Sequence, residues 1–183
     1  MQPIGPLMHE HRLIERLISL LEAEAGRIES GSRPDSRLID EAVDFFRTYA
    51  DRCHHGKEEE LLFAELAKKP LSAEERRILG ELIAEHVRGR ALVKAISEAN
   101  GRAVPGDPAS AAPLIPLMRE LSGFYRVHIE KEDKHFFHPV MRHFSKPEME
   151  AMLTAFEAVE LRVFREKYAA VVESRERAAG TIS

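Results

Sequence analysis

The chain has 183 residues, a formal net charge of −4 and a single cysteine, Cys53. Positive and negative residues are interspersed, which excludes the basic face expected of a nucleic-acid-binding protein. One cysteine excludes an internal disulfide, and no apolar run approaches the roughly 20 residues of a membrane span. The N-terminus lacks a signal-peptide pattern. These features predict one soluble, cytoplasmic domain over residues 1–183.

The first helix is predicted from residue 7 to about residue 30, where apolar side chains recur every three or four positions. His11 lies within this apolar stripe, whereas His9 faces another side of the helix. After a short turn, Asp35 or Ser36 is expected to cap a second helix. The first helix therefore directs one histidine toward the protein interior.

The second helix is predicted to end near residue 69 and carries His54 and Glu58 four positions apart. In an α-helix this spacing places two side chains on the same face, where both can bind one metal ion. The offset pair, His55 and Glu59, continues a more polar face. We therefore expect His54 and Glu58 in the interior and leave His55 and Glu59 on the flank.

The third and fourth helices repeat this arrangement. Ser72 and Glu75 form the capping box that opens the third helix, and His86 lies within its apolar stripe. The fourth helix carries His128 and Glu132, again four positions apart. Each of the first four helices is thus expected to direct at least one metal-binding side chain inward.

A fifth helix is predicted over about 146–175, because Ser145 and Glu148 form another capping pattern before an apolar stripe. A polar tail follows from about Glu173. The chain shows no strand alternation. Four long amphipathic helices over about 7–140 predict an all-α, up-down-up-down four-helix bundle. The fifth helix packs across this bundle or against a partner chain, and its Met and Phe side suggests a homodimer.

An internal repeat relates the two halves of the bundle. The lone histidines are 75 residues apart and the paired histidines 74 residues apart, and each lone histidine follows a glutamate. A lone histidine on an apolar face is usually a packed core residue, but two buried carboxylates without partners would cost several kcal/mol each. Metal cations would remove that cost. The repeat therefore predicts a central metal site formed by His11, His54, Glu58, His86, His128 and Glu132.

These residues resemble the motifs of the hemerythrin-like (HHE cation-binding) family over about residues 7–140. The family consists of four-helix bundles with a non-haem di-iron centre. The resemblance implies that the two His-x-x-x-Glu pairs supply bridging carboxylates and terminal imidazoles, and that the lone histidines are further ligands. It implies two iron ions as the cofactor, with manganese also compatible with these ligands.

Two positions depart from the oxygen-carrying hemerythrins. Those proteins have a second histidine four residues after the first on the third helix, where this chain has Arg90. They also use an aspartate five residues after the histidine of the fourth helix, and Asp133 has that spacing. Both Glu132 and Asp133 are therefore candidates, and the repeat favours Glu132. The set is closer to the bacterial di-iron proteins implicated in iron–sulfur cluster repair and nitric oxide chemistry.

Other candidate ligands have simpler interpretations. Glu132 and His135 have the spacing found in ferritin-like bundles, but Glu58 lacks the matching histidine, so His135 is expected outside the ligand set or on the surface. Cys53 is expected to be an ordinary packed residue. Core positions are predicted for Tyr49 and Tyr125, and surface positions for His138 and His143.

The resemblance implies a protein that binds or reduces a small diatomic ligand (O2 or NO) or peroxide, in stress response, redox sensing or iron handling. The alternative is a non-enzymatic sensor whose fifth helix signals metal-site occupancy to a partner. The sequence leaves open whether the protein turns over its ligand. Neither nucleic acid nor a membrane is expected as a partner.

Overall fold

The computed structural model describes residues 2–104 and 107–178, except the side chains of 108, 165 and 168–178. The described residues form five long helices and no β-strand. In chain order the helices are α1 (Ile4–Glu29), α2 (36–66), α3 (Ala73–Arg102), α4 (114–140) and α5 (Lys146–Ala178). The all-α prediction is confirmed. The end of the predicted polar tail, residues 179–183, lies outside the described residues.

The helices α2 and α4 change their winding near the predicted metal ligands. The segments Phe46–His55 and Glu58–Phe63 of α2, and Glu132–Phe136 of α4, have the wider π-helical turn with i→i+5 hydrogen bonds. Such segments are rare and occur frequently at functional sites. A wider turn reduces the angle between successive side chains, which changes the residues that can face inward together.

The junction between α1 and α2 follows the sequence signals. Gly31, just beyond α1, has φ of 85°, a left-handed conformation that glycine adopts without steric cost. Asp35, and not Ser36, caps α2, because the Leu38 backbone N–H donates to Asp35 Oδ1 at 3.0 Å. These two signals end α1 and begin α2.

The capping box of α3 is present as predicted. The Glu75 backbone N–H donates to Ser72 Oγ at 3.2 Å, and the Ser72 backbone N–H donates to Glu75 Oε2 at 2.7 Å. We expect Ser72→Ala to lower the free energy of unfolding by about 1 kcal/mol, because one N–H of the first turn loses its acceptor. Urea denaturation of the two proteins measures this difference. Ser19→Ala, at an exposed position within α1, is the control and should leave the stability unchanged or slightly higher.

The apolar core of the bundle is divided into two clusters. One includes Ile14, Ile18, Phe46, Val93, Met118 and Leu121, and the other includes Leu7, Leu62, Phe63, Leu82, Phe136 and Phe137. Each of the helices α1 to α4 contributes residues to both clusters. Along each helix, every predicted metal ligand lies between a residue of one cluster and a residue of the other. The two clusters thus enclose a polar layer and exclude water from both sides of it.

The apolar side of α5 is buried within its own chain. Phe156 packs in the second core cluster, while Val159 and Val163 contact Cys53 of α2. Burial within the chain therefore accounts for most of the Met and Phe side, and the homodimer stays a prediction. Among the described residues, no helix has the combination of length and apolar composition needed to cross a bilayer.

Candidate metal centre

All six residues predicted as metal ligands lie in the polar layer between the two apolar clusters. No more than 2% of the surface of any of them is exposed; they are His11, His54, Glu58, His86, His128 and Glu132. The helices α1 to α4 each contribute at least one, because the apolar stripe that contains each residue faces the common core. The structure therefore brings together every member of the predicted set.

The Glu58 carboxylate lies between two imidazoles from different helices. Its Oε1 is 3.4 Å from His54 Nε2 on the same helix, and its Oε2 is 3.4 Å from His86 Nε2 on α3. Each oxygen therefore faces a different imidazole, which is the arrangement required of a carboxylate that bridges two cations. His54 and Glu58 remain close to each other although they lie in two π-helical segments of α2.

Glu132 occupies the equivalent position on α4. Its Oε2 lies 3.3 Å from His128 Nε2 and 3.2 Å from His11 Nε2, and its Oε1 lies 3.8 Å from His86 Nε2. Glu58 and Glu132 therefore approach the same central space from opposite halves of the chain. The internal repeat seen in the sequence is reproduced in three dimensions.

Several buried polar atoms of this layer have no hydrogen-bond partner among the described residues. They include both carboxylate oxygens of Glu58 and of Glu132, and the Nε2 atoms of His86 and His128. In addition, His11 Nε2 and His54 Nε2 are only 2.9 Å apart, so a proton must lie between them when no metal ion is bound. Buried polar groups are normally satisfied. The donor set therefore fits bound metal cations.

Carboxylates outside the central space orient the paired histidines. Glu10 Oε2 lies 2.8 Å from His54 Nδ1, and Glu85 Oε2 lies 2.9 Å from His128 Nδ1. A carboxylate accepts hydrogen bonds only, so Nδ1 carries the proton and the Nε2 lone pair faces the centre. Each of these glutamates also accepts a hydrogen bond from a lysine three positions after the oriented histidine, Lys57 or Lys131.

Carboxylates also orient the lone histidines through Nδ1. Asp133 Oδ1 lies 2.8 Å from His11 Nδ1, and Glu59 Oε1 lies 2.7 Å from His86 Nδ1. Asp133 and Glu59 each stand five residues after the paired histidine of their helix, so they are equivalent in the repeat. The structure therefore places Glu132 in the centre and Asp133 behind His11, as the repeat favoured.

The hemerythrin HHE cation-binding domain model matches residues 2–140, which span α1 to α4. The chain belongs to this family. Membership implies cation binding, in agreement with the cluster of buried histidine and carboxylate side chains. No curated protein matches the chain significantly. The helix α5 lies beyond the matched residues.

One prediction about this hemerythrin domain is wrong. His55, expected on the flank, is only 2% exposed, and neither ring nitrogen has a hydrogen-bond partner among the described residues. The reason is the π-helical winding of Phe46–His55, which turns two successive histidines inward. Two consecutive histidines were the signal in the sequence that a second imidazole could face inward. The change of helical winding that turns both inward cannot be recognised from side-chain periodicity.

His55 gives the hemerythrin centre two unequal groups of donors. The ring of His55 stacks on that of His86, with centroids 3.9 Å apart. Within each group the candidate ligand atoms all lie within 4.8 Å of one another; the groups are His55, His86 and His128, and His11, His54, Glu58 and Glu132. In the repeat, position 55 corresponds to Ile129, so the second half of the chain has no equivalent imidazole.

Arg90, at the position of the missing histidine, lies beside the centre rather than within it. Its Nε donates to Asp51 Oδ1 at 2.7 Å and its Nη2 donates to Glu59 Oε1 at 2.7 Å. Glu59 holds His86, and Asp51 Oδ1 is 3.5 Å from His55 Nδ1. Arg90 therefore holds the two carboxylates that stand behind these two histidines.

Burial keeps several of these groups neutral before a metal binds. It lowers the pKa of His54 to about 4 and holds the pKa of His55 well below its usual value, so both have a free lone pair at neutral pH. Burial and the nearby Glu132 raise the pKa of Glu58. Burial alone would also lower the pKa of His11. The Asp133 and Glu132 carboxylates outweigh that effect and raise the pKa of His11 to about 9. A metal ion at His11 must therefore displace a proton.

The remaining candidates lie mostly where the sequence indicated. His9, His135 and His138 are exposed, whereas Cys53 is buried against α5, and burial raises its thiol pKa to about 11. His143 is not a surface residue, because its Nε2 lies 3.0 Å from Glu75 Oε1 and its side chain is 11% exposed. Tyr125 is in the core as predicted, and Tyr49 is partly buried against it.

Proposed function

We propose that this hemerythrin domain holds two iron ions and binds a small ligand, O2, NO or peroxide, at the metal centre. The observation that supports this most directly is the convergence of imidazole Nε2 atoms on two buried carboxylates whose oxygens have no hydrogen-bond partner among the described residues. Mixed nitrogen and carboxylate donors suit iron or manganese. An up-down-up-down order of the four matched helices, as in other such bundles, is part of this proposal.

The ligand set is the six residues predicted from the sequence together with His55. Glu58 and Glu132 face imidazoles of both groups and would be shared by the two ions. One group has three imidazoles and the other has two. The group with two, formed around His11 and His54, has fewer nitrogen donors, so it has more room for a ligand from solution. Iron bound here supplies Lewis acidity and electrons to that ligand.

The residues around the centre orient its imidazoles and exclude water, which favours binding of a small ligand. Carboxylates behind four of the imidazoles keep a proton on Nδ1 and fix the ring orientation, which makes Nε2 a better donor to metal; these imidazoles are His11, His54, His86 and His128. Phe137 stacks on His11 with ring centroids 5.8 Å apart and, with the apolar clusters, excludes water. A dry site of fixed geometry favours a small, weakly hydrated ligand over bulk water. Membership of the bacterial repair or sensor subtype is part of this proposal.

Metal analysis and absorption spectroscopy test the proposal, with a His54→Ala, His128→Ala double variant as the comparison. We expect about two iron ions per chain in protein produced with added iron, and ligand-to-metal charge-transfer absorption that the variant loses. The matched control is a His9→Ala, His138→Ala variant, which removes two exposed histidines and should retain both signals. Wild-type protein without stoichiometric metal would contradict the di-iron assignment.

A non-enzymatic sensor remains the second candidate, favoured by the position of α5, which packs along the metal-binding helix α2. The two functions differ in turnover. Continuous consumption of peroxide or nitric oxide with an added reductant would identify an enzyme. Stoichiometric binding accompanied by a change in α5 would identify a sensor.

A further inference from the structure

We propose that α5 is coupled to the metal centre through a chain of buried ionic contacts, in which Glu160 acts through Lys57 and Glu10 to position His54. Glu160 is a positioning residue in this scheme, because it touches neither metal nor ligand. The inference rests on the proposed function, since it assumes that His54 binds a metal. It concerns a helix beyond the residues that match the hemerythrin family, 2–140.

The central element of this chain is Lys57, whose side chain is fully buried. Its ammonium group donates to Glu10 Oε1, and also to Glu160 Oε1 at 2.6 Å. The other oxygen of Glu10 lies 2.8 Å from His54 Nδ1. A buried ammonium group requires opposite charge nearby. The carboxylate that orients His54 is therefore held by a lysine that also depends on α5.

The second half of the repeat shows that this dependence is not required by the bundle. The equivalent lysine, Lys131, donates to Glu85 and to Glu81, and both carboxylates belong to α3. Lys131 is also 22% exposed, so water helps to solvate it. The bundle therefore supplies both partners of one lysine by itself, whereas for Lys57 the second partner comes from α5.

The contacts of α5 with α2 give this link a rigid support. Phe156 lies one turn before Glu160 and its ring centroid is 5.7 Å from Lys57 Nζ. Val159 and Val163 pack on Cys53, the residue before His54. Displacement of α5 would therefore remove a partner of Lys57 and expose its ammonium group at the same time.

This arrangement implies reciprocal coupling. Metal binding fixes His54, and with it Glu10 and Lys57, so it should favour the docked position of α5. By thermodynamic linkage, docking of α5 must raise the metal affinity by the same factor. A partner that binds the displaced helix would then weaken metal binding. The chain thus contains a physical connection through which metal occupancy can be signalled.

Glu160→Gln tests the coupling, with Glu166→Gln as the matched control. Glu166 also pairs with α2, through Arg52, but that contact does not lead to a metal ligand. We would measure backbone hydrogen exchange of α5 with and without iron, and iron(II) affinity by competition with a chromogenic chelator. In the wild type, iron should slow exchange across α5. Glu160→Gln should lose most of that protection and bind iron about 10-fold more weakly.

Glu166→Gln should keep both the protection and the affinity, which separates coupling from simple docking of α5. If wild-type α5 exchanges equally with and without iron, or if both variants behave alike, the coupling is refuted while the metal centre stands. If the wild type binds no iron, the proposed function fails, and the coupling fails with it.

Discussion

Glu58→Gln, which replaces one of the two central carboxylates, is expected to weaken iron binding at least about 100-fold and yet to stabilise the metal-free protein. The Glu58 side chain is fully buried, and neither of its carboxylate oxygens has a hydrogen-bond partner among the described residues. Without metal, burial and the nearby Glu132 raise the pKa of Glu58, so folding must protonate a carboxyl group that is ionised in the unfolded chain. Glutamine removes this cost, and we expect the free energy of unfolding of the metal-free protein to rise by at least about 1 kcal/mol, the value of one pKa unit. With iron bound, the variant should be the less stable protein, because the wild-type carboxylate then binds cations.

Urea denaturation of the wild type and Glu58→Gln, with excess iron(II) and with a chelator, gives the four free energies of unfolding that this prediction compares. The matched control is Glu60→Gln, which removes an exposed carboxylate from the same helix. Its effect should stay within about 0.5 kcal/mol under both conditions. A Glu58→Gln variant that is less stable than the wild type in chelator would mean that this carboxylate has a partner other than metal.

His55→Leu is expected to weaken binding of one of the two iron ions by at least 100-fold and to leave the metal-free fold intact. Loss of a residue that only orients a ligand typically lowers metal affinity about 10- to 100-fold, and loss of a ligand should exceed that. Leucine fills much of the volume of the imidazole and needs no hydrogen bond, so the metal-free protein loses only the ring stacking of His55 on His86. Both ring nitrogens of His55 are unpaired among the described residues.

Iron content after dialysis and competition titration with a chelator measure this effect. His138→Leu is the control, because His138 is exposed on α4. If His55 were a flank residue, as its position on a regular α-helix suggested, His55→Leu would bind iron like the wild type. Loss of both ions would instead show that the two groups of donors bind metal cooperatively.

The positions of His55 and of α5 show where reading the sequence was insufficient. The periodic pattern assumed a regular α-helix, and a change to π-helical winding leaves the same letters in place while it rotates the following side chains. The apolar face of α5 was visible, but the sequence could not distinguish burial within the chain from burial against a partner. The structure places Phe156 and Val159 inside the same chain.

The sequence by itself determined the helices, their caps and the six central residues, since these depend on local spacing and on an internal repeat. His54 and Glu58 are neighbours because of the helix that carries both. Only the tertiary structure decided which carboxylate stands behind each imidazole and which helix holds Lys57. Those contacts join residues up to 122 positions apart, as in the pair of His11 and Asp133. Such contacts depend on how the helices pack, and local spacing carries no information about that.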